Sequence, residues 1–204
     1  MTASIPASAF RAQHHGVLVA GEHARPVLFV FDGRSGLPVL PVSSAELESG
    51  QVTLCCPDEA PEALHLHCEI DEIADYRGCE TCDRWQGHFG RPGYSRWARL
   101  KVHSARWGGT MIRLGDLIIP NTLTGLPEAR LCRAANALKP ALIDFIRRST
   151  GTEVSEVLVV GVDQFGIDLR TSATLVRADF GRMVADQADA AGAMSITLGV
   201  TIAS

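Results

Sequence analysis

Four side chains in the first half of the chain have residue types that bind metal. His65 and His67 alternate along a strand-like run, and Cys79-x-x-Cys82 begins twelve residues after His67. Two imidazoles and two thiolates make a tetrahedral Cys2His2 set for zinc. Structural zinc normally sits on knuckle-like turns, and H-x-H before a single CxxC lacks that pattern. The favoured reading is a polar strand face followed by a cysteine pair opening a helix, so no metal site is expected. His88 lies close in sequence to the same cysteines, which allows Cys/His nucleophilic chemistry. No third residue specifies a triad, and buried thiols are ordinarily inert. His14-His15 precede the first strand, where the edge of a flat ligand has room to approach. The sequence contains no Gly-rich phosphate loop, HExxH or nucleophile elbow, which argues against dinucleotide and nucleotide-triphosphate chemistry.

The ionic residues are unevenly placed. From Pro41 to Asp83 there are eleven acids and one arginine, whereas Arg91 to Leu114 holds six cations and no acid. The formal charge of −4 therefore hides two opposed blocks. Either the blocks are adjacent strands whose solvent faces pair across a sheet, or some cations face a small anionic ligand. The total charge gives no general attraction to nucleic acid or anionic lipid, so neither is an expected partner.

The chain has 204 residues, 46% of them hydrophobic, which is enough to bury a core in one large domain or two small ones. Its longest apolar runs have strand length, so no membrane partner is expected. The opening MTASIPASAF lacks the basic and apolar regions of a signal peptide. Reduced thiols and a cytoplasmic location are the expectation for the six cysteines.

Turn residues divide the first 120 residues into about seven short strands and two short helices. Gly16–Ala20 and Pro26–Asp32 are strand-like, and Asp32-Gly33-Arg34-Ser35-Gly36 turns the chain into Leu37–Val42. Ser43 caps a helix over Ser44–Ser49 that Gly50 ends. Gln51–Cys56 and Ala63–Ile73 follow as strands, the second with Leu64, Leu66, Cys68 and Ile70 on one face and His65, His67, Glu69 and Asp71 on the other. A helix carrying Trp85 spans Cys79–Phe89. In Arg96–Trp107, strict alternation places Trp97, Arg99, Lys101 and His103 on one face and Ala98, Leu100, Val102 and Ser104 on the opposite one. Gly108-Gly109 turns into Thr110–Leu114. This is the pattern of a closed or nearly closed antiparallel barrel.

Beyond a join near Pro120–Pro127 the periodicity changes. Leu131, Ala135, Leu138, Leu142, Phe145 and Ile146 fall at helical spacing, with Pro140 kinking the helix or starting a second one, and Gly151 ends it. Glu156–Val162, Ile167–Thr171 and Leu175–Phe180 form a three-stranded meander before an Ala-rich helix over Val184–Met194. The expected fold class is α+β: residues 1–120 as a closed or nearly closed antiparallel β-barrel, and 121–204 as a small α/β domain.

The stretch Val157-Leu-Val-Val-Gly-Val-Asp163-Gln-Phe-Gly166-Ile-Asp168-Leu-Arg170, lying between an amphipathic helix and a strand that ends in Phe180, resembles the small C-terminal domain of the haem-utilisation (HugZ-like) proteins. In that family the domain follows an FMN-binding split barrel of the pyridoxamine 5′-phosphate oxidase superfamily. Arg25–Asp32, Gly36–Val42, Asp83-Arg84-Trp85 and Arg96–Trp107 are placed like that barrel's elements. The resemblance covers nearly the whole chain. It implies a homodimer with a flavin site across a two-fold interface, and a haem- or flavin-linked redox role. Two departures stand out. Ala134-Ala135-Asn136-Ala137-Leu138-Lys139-Pro140 replaces a Met-Asn-x-Asp-His-type motif, and no histidine follows position 103.

An FMN site needs donors that neutralise a phosphate dianion and an apolar slot for the isoalloxazine. Ser43 and Ser44 offer hydroxyls and free amides at a helix N-terminus. Arg25, Arg99 and Arg106 offer charge, and Trp97 or Trp107 a stacking face. Glu46 and Glu48 in the same short segment would repel a phosphate. Two functions follow: a flavin- or haem-linked redox protein in which the cofactor carries the electrons, or a non-catalytic dimeric scaffold that senses haem or contacts a partner after losing flavin.

Overall fold

The computed structural model describes residues 4–94 and 96–202. The chain divides into two compact units, Met1–Pro120 and Asn121–Ser204.

The first unit holds helices α1 (Ser4–Arg11), α2 (Ser44–Ser49), α3 (Glu80–Phe89) and α4 (Leu114–Leu117). Its strands are β1 (His15–Ala20), β2 (His23–Leu28), β3 (Val30–Phe31), β4 (Pro38–Val42), β5 (Gln51–Cys56), β6 (Leu64–Glu72), β7 (Arg96–Trp107) and β8 (Thr110–Ile112). The strand path is β2-β1-β5-β6-β7-β4-β3, all antiparallel, with β8 added to β7. β2 and β3 are separated only by Phe29, so the two ends of this path are one bent segment and the sheet curls back on itself as a barrel. This is the expected α+β class: the antiparallel barrel predicted by the strand pattern, with the split-barrel form that the resemblance implies. The interior is filled by Leu18, Phe29, Phe31, Leu40, Leu54, Leu66, Ala98 and Leu100.

Two helices went unpredicted here. In α1, Phe10 is buried and packs edge-on against Phe31 at 4.9 Å. Arg11 lies over the same ring and donates to the Ile119 carbonyl. α4 is a single turn that packs on the same helix, with Leu117 buried. Both are short and lack a full apolar stripe, so their stability comes from tertiary packing and leaves little periodic signal.

The alternation predicted along β6 is observed, whereas that along β7 breaks. β6 pairs with β7 residue for residue from Glu72↔Ala98 to Cys68↔Val102, then shifts so that His67 opposes Ser104. His103 is the extra residue of a β-bulge. Ser104 and Arg106 thus join the outer row with His67 and His65, while Ala105 and Trp107 turn into the core.

In the second unit, α5 (Leu126–Asn136), α6 (Lys139–Thr150) and α7 (Gln187–Leu198) accompany an antiparallel sheet β9 (Val157–Asp163), β10 (Gly166–Thr171) and β11 (Leu175–Asp179), ordered β11-β10-β9. Pro140 sits in the first turn of α6, starting a second helix. The edge of β9 is closed by side chains. The Asn136 amide exchanges two hydrogen bonds with the Val159 backbone, at 2.8 and 2.9 Å. Glu128 accepts from the Val162 amide and Asn121 donates to its carbonyl. These contacts satisfy strand groups that would otherwise lie unpaired.

Candidate functional site

The segment Val42–Gly50 positions the first group. Ser43 is the N-cap of α2 and makes a capping box with Glu46. Its hydroxyl accepts from the Glu46 amide at 3.3 Å. Glu46 Oε2 accepts from the Ser43 amide at 2.7 Å and from its hydroxyl at 2.9 Å. Arg25 completes the set from β2: Nε lies 2.6 Å from Oε1 and a terminal nitrogen 3.0 Å from Oε2. A terminal nitrogen also donates to the Pro41 carbonyl at 3.0 Å, and the guanidinium lies 4.6 Å from the centre of the Tyr94 ring.

Glu46 is 7% exposed. Burial pushes its carboxyl up, but the hydrogen bonds from Arg25 and Ser43 outweigh that and hold it below the ordinary glutamate range. The donors expected for an FMN phosphate are therefore arranged around a carboxylate of this chain. Ser44, one residue on, lies 3.5 Å from an Arg96 guanidinium nitrogen.

Arg99 belongs to a second group. It reaches Asp32 at 3.2 Å and Asp71 at 3.6 Å. Asp32 Oδ1 accepts from the backbone amides of Arg34 and Ser35 and from the Ser35 hydroxyl, while Oδ2 accepts from Thr81 at 3.3 Å. Burial raises the Asp32 pKa, but the Ser35 and Arg34 hydrogen bonds and the Arg99 charge together bring it below the ordinary value. The Arg99 Nε atom is buried without a hydrogen-bond partner. Further along the outer face, Lys101 pairs with Asp71 and His103 with Glu69, while Arg96 pairs with Glu72 at the end of the core-side rows of β7 and β6. The acidic and basic blocks of the sequence are thus adjacent strands with facing charges.

Trp97 lies on the same side of β7 as Arg99, and α3 covers it. It is 1% exposed and meets Trp85 edge-on at 5.5 Å, within a cluster that includes Val30, Val39 and Cys82. Trp85 is tied down by a 2.8 Å hydrogen bond to the Leu28 carbonyl. Trp97 therefore presents no free ring face. Trp107 is half-buried and lines a cavity of about 220 Å³ with Phe10, Cys56, Pro57 and Leu64. Arg106 is exposed on the outer row, opposite His65 on one side and Met111 on the other.

The candidate zinc residues are engaged separately. His65 Nε2 is 2.9 Å from the Ala60 carbonyl, and His67 Nδ1 is 3.2 Å from the Thr53 hydroxyl. Cys82 lies on the buried face of α3. Among the described residues no group of three or more His, Cys, Asp or Glu is arranged to hold a metal. His14 is buried against Phe31, His88 and Phe89, not open to an approaching ligand.

Sequence reasoning missed Asp32 and the part played by Glu46. Both left local signals: an Asx-type turn, D-G-R-S-G, and a Ser-x-x-Glu box. Among the described residues no helix is long and apolar enough to cross a membrane.

No family profile and no curated protein matches the chain. Among solved structures, a heme binding protein from Mycobacterium smegmatis aligns with a TM-score of 0.43 at 16% identity, over 98% of this chain and 97% of that one. An FAD binding protein from the same organism gives 0.36 at 13% identity, over 52% and 94%. A protein of unknown function from Agrobacterium tumefaciens str. C58 gives a TM-score of 0.69 at 17% identity, covering 97% of this chain and 95% of that one, so the two share a fold over nearly their whole lengths.

Proposed function

We propose that this split barrel is a non-catalytic ligand-binding or partner-binding scaffold, working as a homodimer, whose flavin phosphate cradle has been taken over by its own carboxylate. The observation that carries this is Glu46, which accepts two hydrogen bonds from Ser43 and two from Arg25. A phosphate dianion entering there would meet a buried anion and displace an ion pair, which costs several kcal/mol before any gain. Trp97, buried under α3, is no flavin platform either. Haem, the second ligand class of the family that the chain resembles, is the small molecule proposed for this scaffold.

A flavin- or haem-linked redox role is the second reading, favoured by Arg106, an exposed guanidinium on the outer row of β7. A two-fold partner packed on that row would bring it to an anionic group. Ser43, Ser44, Arg25 and Arg99 would join the site only after Glu46 and Asp32 gave way.

Absorbance titrations distinguish the scaffold from a flavin-linked redox role. Purified protein is mixed with FMN and, separately, with hemin, while its mass in solution is measured. A Soret shift with hemin, no FMN retention and a dimeric mass support the scaffold. Tight FMN retention by the unaltered chain would sink it and leave the redox role.

A further inference from the structure

We propose that Cys79 and Cys82 form a redox-active dithiol at the start of α3, closing to an intramolecular disulfide by exchange with a small external disulfide. This proposal is independent of the ligand assigned to the barrel.

The geometry is that of one helical turn. Cys79 is the N-cap of α3, with φ −74° and ψ 106°, and Cys82 is its third residue. Side chains three positions apart on a helix have Cβ atoms about 5–6 Å apart, and a disulfide needs roughly 3.5–4.5 Å. The extended N-cap backbone is where that small adjustment is available. Both side chains belong to one apolar cluster, Cys82 in its interior and Cys79 packed against it.

Their environments differ in the way an exchange site requires. Cys79 is half-buried and within reach of solvent, and its side chain makes no capping hydrogen bond. It stands at the N-terminus of a ten-residue helix whose first turn also carries Glu80 and Asp83. Cys82 is fully buried, and burial, followed by the interaction with Cys79, pushes its thiol far above the ordinary range. A half-buried attacking sulfur and a fully buried resolving sulfur divide the work. Cys56 and Cys68 are both buried and pushed up, so neither offers an accessible attacking thiol.

The exchange balances. The Cys79 thiolate attacks one sulfur of RSSR, forming a mixed disulfide and releasing RS⁻. Cys82 passes its proton to that thiolate and attacks the Cys79 sulfur, forming the protein disulfide and releasing a second RS⁻, which takes the proton Cys79 had lost. Two protein thiols are oxidised and one external disulfide is reduced to two RSH.

The test is equilibration of the full chain with oxidised and reduced glutathione over a range of ratios, followed by alkylation and peptide mapping. The expected result is a Cys79–Cys82 disulfide that forms and reverses with the ratio, accompanied by a change in the emission of Trp85 and Trp97, which share the Cys82 cluster. Cys82→Ser should stop at a glutathione adduct on Cys79, and Cys79→Ser should leave Cys82 unmodified. Both cysteines of the unaltered chain remaining alkylatable at every ratio would overturn the proposal. So would a disulfide mapped to Cys55, Cys56 or Cys68, or Cys79→Ser protein in which Cys82 oxidises as readily.

Discussion

Arg25 on β2 grips Glu46 on α2 with two nitrogens, at 2.6 and 3.0 Å, and the same carboxylate closes the capping box of Ser43. One buried carboxylate thus joins an edge of the barrel sheet to the N-terminus of a six-residue helix that is too short to hold itself together. Replacing Glu46 removes its half of the capping box, although the Ser43 cap on the residue-46 amide survives, and leaves a partly buried guanidinium without its counter-charge. Glu46→Ala should cost about 2–3 kcal/mol, most of it from the broken pair. Urea denaturation of both proteins measures this. A loss under half a kcal/mol would mean that water replaces the carboxylate and that the pair is not structural.

A second substitution at this position tests the proposed function. Glu46→Gln keeps the side-chain shape, removes the negative charge and leaves Arg25 and Ser43 as donors. If Glu46 is what excludes a phosphate, the variant should bind FMN or inorganic phosphate at least tenfold more tightly than the unaltered chain, read by calorimetry. Equal affinity in the two proteins would show that the cradle is unsuited to phosphate for another reason.

The pH dependence of stability follows from the depressed carboxylates. Asp32 and Glu46 both titrate below their ordinary values, because hydrogen bonds and an arginine outweigh the opposing effect of burial. A carboxylate with a lower pKa in the folded state binds protons more weakly there than in the unfolded chain. Its contribution is complete above the unfolded pKa of about 4 and is lost as pH falls through the folded value. Urea midpoints should therefore be level between pH 6 and 7 with respect to these two groups and fall below about pH 4. In Glu46→Gln that acid-side fall should be smaller, and an unchanged fall would remove Glu46 from the account.

Much of the region around Ser43 was legible locally. Ser-x-x-Glu, the run Ser44–Ser49 and Gly50 specify a capped helix with the observed bounds. The partner of Glu46 was not, because Arg25 lies 21 residues away and meets it only through the β2–β4 geometry. Trp97 shows the same limit. Alternation placed it correctly beside Arg99, but whether an outward tryptophan faces water or a helix depends on where α3 docks, and no feature of the strand encodes that. The bulge at His103 was hidden for a different reason. Val102-His103-Ser104 reads as ordinary alternation, and the register shift is visible only against β6.

Trp97 should then behave as a core residue. Trp97→Ala would empty the space between β7 and α3 where it meets Trp85, with an expected loss of about 3–5 kcal/mol. Trp97→Phe keeps most of the volume and should cost clearly less. If Trp97→Ala folds with nearly unaltered stability, the α3 cover is loose and the ring is available to a ligand after all.

In the second unit, Arg177 is held between Asp163 at 2.5 Å and Asp168 at 2.9 Å, with all three side chains under a tenth exposed. Asp163 also receives the amides of Phe165 and Gly166, so the V-G-V-D-Q-F-G-I-D-L-R stretch is a turn and strand built around one buried cation. Removing that cation strands two buried carboxylates. A Cβ on Gly166 would come within 2.4 Å of the Ala178 carbonyl oxygen, so only glycine fits the close approach of β10 and β11 beside this group. Arg177→Met should therefore cost about 3–5 kcal/mol. Adding Asp163→Asn and Asp168→Asn should recover part of it by discharging the stranded acids. Thermal unfolding of the single and triple variants gives the comparison. A triple variant no more stable than Arg177→Met would show that the arginine acts by its hydrogen bonds and packing, not by its charge.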